Sequence, residues 1–215
     1  MDQTINFGII LFRTSQLTVP PLSKTETTRI QAIVGTFLYY ARAIDDNVLV
    51  ARNSIGTQQS APALDTKAKT QHLLDYLATH PNHTLRYNAS DMTLYIDSDE
   101  AYLVEPKGKS RAAGYFYLST HYNPKLNGPM YCLCTLIKAV ISSVIESELG
   151  ALFINSTHVV PIRNTLISMG HPQPPTPIKT DNIIALGVVT NTIKRKRTKS
   201  IDTRIYWVMD RMNKK

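Results

Sequence analysis

Between residues 23 and 80 the apolar positions recur at helical spacing. Ile30, Ile33, Val34, Phe37, Leu38 and Ala41 fall along one face of a single helix. Ser23 with Glu26 three positions on forms a capping-box start for it, and Pro20-Pro21 marks the boundary before it. The pattern predicts a second short helix around 47–56. A third spans 66–79, carries Ala68, Leu73, Tyr76 and Leu77, and is stopped by Pro81.

From Thr84 the period changes. Segments 84–87 and 92–98 read as extended. GYFYLS at 114–119 and MYCLCTLI at 130–137 are aromatic and apolar runs. The turn-rich THYNPKLNGP between them predicts a hairpin with a long loop. ISSVIESELGALFINS returns to helical spacing through Ile145, Leu149, Leu152 and Phe153. Segment 160–169 reads as a separate helix ended by Gly170, and HPQPPTP as a linker. IKTD is a short strand leading into NIIALGVVTNTIKR, helical in pattern despite its β-branched residues, and a last helix covers about 200–212. Three strands, a helix, a strand and further helices, with a small helical unit ahead of them, make an α/β chain without an internal repeat.

Composition narrows the class without fixing it. A 215-residue chain with 43% hydrophobic and 19% charged residues is ordinary globular material. It holds no apolar run long enough for a membrane span, and its N-terminus lacks a basic lead-in, so no signal peptide is expected. The sequons at Asn82, Asn88 and Asn155 then carry little weight, and a cytoplasmic or nuclear protein is expected. Cys132 and Cys134 share one face of an extended segment and read as small buried residues. The six histidines show no local metal-binding spacing, and Pro81 between His80 and His83 argues for a turn. No phosphate-binding loop or nucleophile elbow is present.

The net charge of +8 is concentrated at one end. Residues 194–215 hold nine basic side chains against Asp202 and Asp210. Lys194, Arg195, Lys196, Arg197 and Lys199 form a cluster suited to nucleic-acid phosphates, or to recognition as a nuclear import signal.

The acids carry the chemistry. LYIDSDEAYL puts Asp97, Asp99 and Glu100 near a strand end, Asp181 opens a helix after a short strand, and Glu146 and Glu148 lie on the helix between. If the first and fourth strands are neighbours, these carboxylates converge into an oxygen-rich site suited to Mg²⁺ or Mn²⁺. Two such ions clamp the attacking and leaving oxygens of a phosphodiester. Glu146 and Glu148 stand about 200° apart around a helix, so only one of them can face that point. Asp97 shares a strand face with Asp99 and is a further candidate.

Asp99 after its apolar strand, SELGAL with Glu148, KTDNIIALGVV with Asp181 and KSIDTRIYWVMDR with Asp202 resemble, in this order, motifs of the ribonuclease H domain of copia-type retrotransposon polyproteins. RIQAIVGTFLYYARAIDDNVLVA is similar to the segment that joins that family's reverse transcriptase to its ribonuclease H domain. The resemblance spans roughly residues 22–212. It implies an irregular segment over 1–22, a helical thumb- or connection-like segment over 23–88 and an RNase H-like mixed sheet with flanking helices over 89–215. It further implies cleavage of the RNA strand of RNA–DNA hybrids, with Asp99, Glu148 and Asp181 holding two Mg²⁺ or Mn²⁺ ions. SELGAL favours Glu148 over Glu146, and Asp97 and Asp202 are alternates. Against the family pattern, no strand-turn with paired aspartates precedes the helical segment, so no polymerase site is expected. Glu100 stands where the family has a small residue. The family's last strand and helix, with a fourth carboxylate, are not matched, and an unpaired sheet edge is expected to invite self-association.

Overall fold

The computed structural model describes residues 21–105, 108–139, 141–193 and 199–213, the side chains of 199–202 excepted. Most of the irregular segment expected over 1–22 therefore lies outside the described residues, as do Lys194, Arg195, Lys196 and Arg197. Among the described residues no helix is long and apolar enough to cross a membrane.

The chain is mixed α/β. Helix α1 (Lys24–Ala43) starts at the expected capping box, with Ser23 Oγ accepting from Glu26 N–H and the Glu26 carboxylate accepting in return from Ser23 N–H. It buries Ile30, Val34 and Ala41. A single 3-10 turn (Asp46–Val48) leads into α2 (Leu49–Gln58). Helix α3 (Leu64–Thr79) follows and turns Thr66, Thr70 and Leu73 inward, while Ala68 is exposed.

Among the described residues four strands form one sheet in the order β3-β2-β1-β4. Strand β1 (Thr93–Glu105) pairs antiparallel with β2 (Lys109–Ser119), and β2 pairs antiparallel with β3 (Pro129–Leu136). The two-residue β4 (Ile178–Lys179) lies parallel to β1 on its other side. The expected neighbourhood of first and fourth strands is met.

Three boundaries differ from the sequence reading. Strand β1 runs on past Ser98 to Glu105 and returns at once as β2, well before residue 114. The polar stretch from Asp97 to Glu100 concealed this continuation. Segment 84–87 forms no strand; among the described residues its backbone makes one backbone–backbone bond, Gly128 N–H to Arg86 O, at 3.0 Å, where a ladder needs several. The third difference is α4 (Val144–Ser168), one helix of 25 residues where two were expected. Pro161 lies inside it and removes a single helical bond. Ala151, Val159 and Leu166, on both sides of the proline, are buried in one core with Leu94, Ile96 and Phe116 of the sheet. That shared burial outweighs the lost bond.

After α4, helix α5 (Ile183–Val189) ends earlier than its pattern predicted. Asn191 adopts φ 60°, and the Gly187 carbonyl accepts from both Thr192 N–H and Ile193 N–H, folding the chain back. Helix α6 (Lys199–Asn213) packs Ile205 and Val208 against Leu149 and Leu152 of α4 and against Ala185 and Val188 of α5.

Helices therefore cover the sheet on both faces. The α1–α3 unit shares a core with Cys132 of β3 and packs partly on Tyr115 and Cys134, so it is a layer on the sheet. Asn53 Nδ2 reinforces that layer by donating to Cys134 O at 2.9 Å.

Candidate metal centre

Each acid of the first site is set by a different element. The β1–β4 register matches Asp97 with Lys179, so two positions further the chain brings Asp99 and Asp181 side by side. Asn182 begins α5 directly after Asp181 and caps it, its Oδ1 accepting from Ile184 and Ala185 N–H.

Helix α4 supplies the third acid. Ser143 caps it, and Glu146 turns back so that its Oε2 accepts from Ser142 N–H and Ser142 Oγ. Glu146 is thus committed to the helix start, and Glu148 faces the sheet, 5% exposed. Two turns further, the fully buried Asn155 fixes the helix to the strands. Its Nδ2 donates to Ser98 Oγ and to Ala113 O, both at 2.8 Å. Gly114 makes this approach feasible, because a Cβ there would stand 2.1 Å from Asn155 Oδ1.

The result is a convergence. Asp99, Glu148 and Asp181 each offer a carboxylate oxygen within 4.8 Å of the others'. Asp99 and Asp181 are exposed and Glu148 is buried. Glu148 Oε2 is shut away from solvent with no hydrogen-bond partner. Burial first, then the charges of Glu100, Asp181 and Asp99, push the Glu148 carboxyl up to about 7, against a smaller lowering by a hydrogen bond from Thr180. A buried orphan oxygen among like charges fits a hard divalent cation, which would supply both the missing partner and the countercharge.

Glu100 belongs to the surroundings of this group. Its Oε2 accepts from the fully buried Ser147 Oγ at 2.6 Å, which turns the side chain onto α4, while its backbone N–H donates to Asp99 Oδ1 at 2.7 Å. Asp97 is half-buried and lies opposite Tyr115 in the β1–β2 register. It is not among the three converging acids. Asp202 lies in α6, and the placement of its side chain falls outside the described residues, as does that of Lys199.

A second group went unnoticed in the sequence. Asp45, Asp46 and His83 also offer ligand atoms within 4.8 Å of one another. His83 lacks any local spacing partner, and only the fold brings it to the end of α1. The one sequence signal was the acidic pair itself, directly after an amphipathic helix.

Basic residues also occur on the α1–α3 side of the sheet. Arg42, Arg52 and Arg111 line a cleft between α1, α2 and the β2–β3 strands. Arg111 is committed to Glu105 in an ion pair of 2.5 Å in which both side chains are almost fully buried. Burial, and then the charge of Arg42, lowers the pKa of Arg52.

No protein-family model matches the chain, and no curated protein matches it.

Proposed function

We propose that this chain is a ribonuclease H-like domain of a retrotransposon polyprotein, cleaving the RNA strand of RNA–DNA hybrids with divalent metal. The observation that carries this reading is the convergence of Asp99, Glu148 and Asp181 around a buried, unpartnered carboxylate oxygen. Support also comes from the mixed sheet, in which β4 runs parallel to β1 and so delivers Asp181 beside Asp99. The order of motifs along the chain, with their resemblance to the copia-type family, supplies the substrate class.

Two Mg²⁺ or Mn²⁺ ions, when bound, supply Lewis-acid stabilisation of the phosphodiester oxygens. The chain's own residues divide the remaining work. Glu148 holds its ligand oxygen from within, anchored by α4. Asp99 and Asp181 stand exposed, where a nucleic-acid backbone can approach. Ser147 holds the Glu100 carboxylate against α4. The 194–199 basic run supplies positive charge for phosphate contacts.

Cleavage of a labelled hybrid in Mg²⁺ tests the assignment. Asp181→Asn should lower the rate by more than the roughly 10–100-fold that follows from disturbing a ligand's support alone. Equal cleavage by wild type and variant would remove Asp181 from the site. A second reading, nucleic-acid binding without cleavage, is favoured by Glu100, a fourth acid whose charge adds to that of the three. It expects no hydrolysis by the wild type and an affinity that falls steeply with salt.

A further inference from the structure

The second polar group lies among the helices of the other layer and has no part in the proposed reaction. Asp45 follows α1 and is completely buried. Its Oδ1 accepts from Asn47 N–H at 3.1 Å, which caps the 3-10 turn, but its Oδ2 is buried with no hydrogen-bond partner. His83, three residues past the C-cap of α3, brings its ring to this carboxylate with Nδ1 3.5 Å from Asp45 Oδ1. Its Nε2 is also buried and unpartnered, 3.9 Å from Asp46 Oδ1. Asp46 Oδ2 accepts from the Cys132 thiol at 3.6 Å.

A protonated histidine between two aspartates is the simplest alternative, and the geometry is poor for it. Both ring nitrogens stand beyond the usual hydrogen-bond length from their carboxylates, and two buried polar atoms remain orphaned. A cation held among the three side chains satisfies Asp45 Oδ2 and His83 Nε2 together. The donor set, one imidazole nitrogen and two carboxylates, suits a borderline metal ion better than Mg²⁺, which avoids nitrogen. Bonds of about 2.0–2.2 Å would need the three donors, which lie within 4.8 Å of one another, to draw together. His83 can supply this movement, because it lies in a segment without regular structure.

We infer that Asp45, Asp46 and His83 form a structural Zn²⁺ site that ties the end of α1 to the chain leaving α3. Asn47 N–H and the Cys132 thiol are then the outer hydrogen bonds that orient the two carboxylates, the second of them reaching from β3. The site differs in kind from the acidic group around Glu148, which has oxygen donors only.

The full chain carrying Asp99→Asn and Asp181→Asn, stripped with chelator, isolates this site for calorimetric titration with Zn²⁺. One equivalent should bind, millimolar Mg²⁺ should not displace it, and the unfolding temperature should rise on binding. Adding His83→Gln should weaken binding tenfold or more. Because that variant could also disturb the loop, the imidazole ¹⁵N resonances of His83 in the unsubstituted ring provide a second measurement, and they should shift at one equivalent. Absence of binding, equal affinity with glutamine at 83, or unmoved His83 resonances would each overturn the inference. So would stability that depends on His83 protonation and not on Zn²⁺, since the group would then be an ion pair.

Discussion

Glu148 and Asp45 are both buried acids with one orphan oxygen, yet they stand in opposite settings. Around Glu148 the neighbouring ligands, Asp99 and Asp181, are exposed and all the charges are negative. Around Asp45 the neighbours are half-covered, one of them is an imidazole, and backbone and thiol donors hold the carboxylates. Exposed, oxygen-only groups suit a hard ion that keeps positions for substrate, while a more enclosed imidazole and carboxylate set suits Zn²⁺. Burial alone would have put the two groups in one class. The exposure of the partners separates them.

The largest effect is expected where the first group is assembled. Gly114→Ala sets a methyl group against Asn155, and it should cost about 3 kcal/mol in urea unfolding while abolishing Mg²⁺-dependent cleavage. If stability falls and the second group still takes up Zn²⁺, the two sites are separable. Asp45→Ala comes next. It removes the cap of the 3-10 turn and should cost about 1–2 kcal/mol by the same measurement, leaving cleavage intact.

Glu148→Gln should act in the other direction when no metal is present. Its folded pKa, about 7, lies above the unfolded value of 4.5, so ionisation of Glu148 opposes folding. That penalty is absent below pH 4.5, sets in as pH rises towards 7 and is complete above it. The metal-free glutamine variant should therefore melt higher than wild type at pH 8 and lose the difference at pH 4. A gap that persists at pH 4 would break the comparison.

The smallest effect belongs to Glu26. Hydrogen bonds from Lys67 and Ser23 lower its carboxyl to about 2. Its contribution is present above pH 4.5 and is lost as pH falls towards 2. Glu26→Gln should flatten that acid limb slightly, because the carboxylate is exposed and screened.

The amino-acid pattern carried most of the α1–α3 layer, since capping and helical spacing are local properties. Helical rotation left either Glu146 or Glu148 to face the other acids, and the SELGAL resemblance favoured Glu148; in the structure Glu146 turns back to the helix start. What the pattern hid depended on tertiary contacts. Nothing near Pro161 reveals that Val159 and Leu166 share one core, and the acids of β1 look like a strand end until β2 is seen beside them. His83 was passed over for the same reason, as Asp45 and Asp46 lie 38 and 37 positions away in the chain.

The uninterrupted α4 has one more consequence. Near its far end Arg163 holds the chain that leads to β4, donating to Gln173 O at 2.9 Å, to Thr176 Oγ1 at 2.7 Å and to Pro174 O. Glu148 rides near the other end of the same rod. The Gln173 side chain also accepts from Leu94 N–H and donates to Met92 O, and β4 is paired with β1, so Asp99 and Asp181 stay together on the sheet while α4 sets how far Glu148 stands from both. The gap that a cation must bridge is therefore gauged by the seating of one helix.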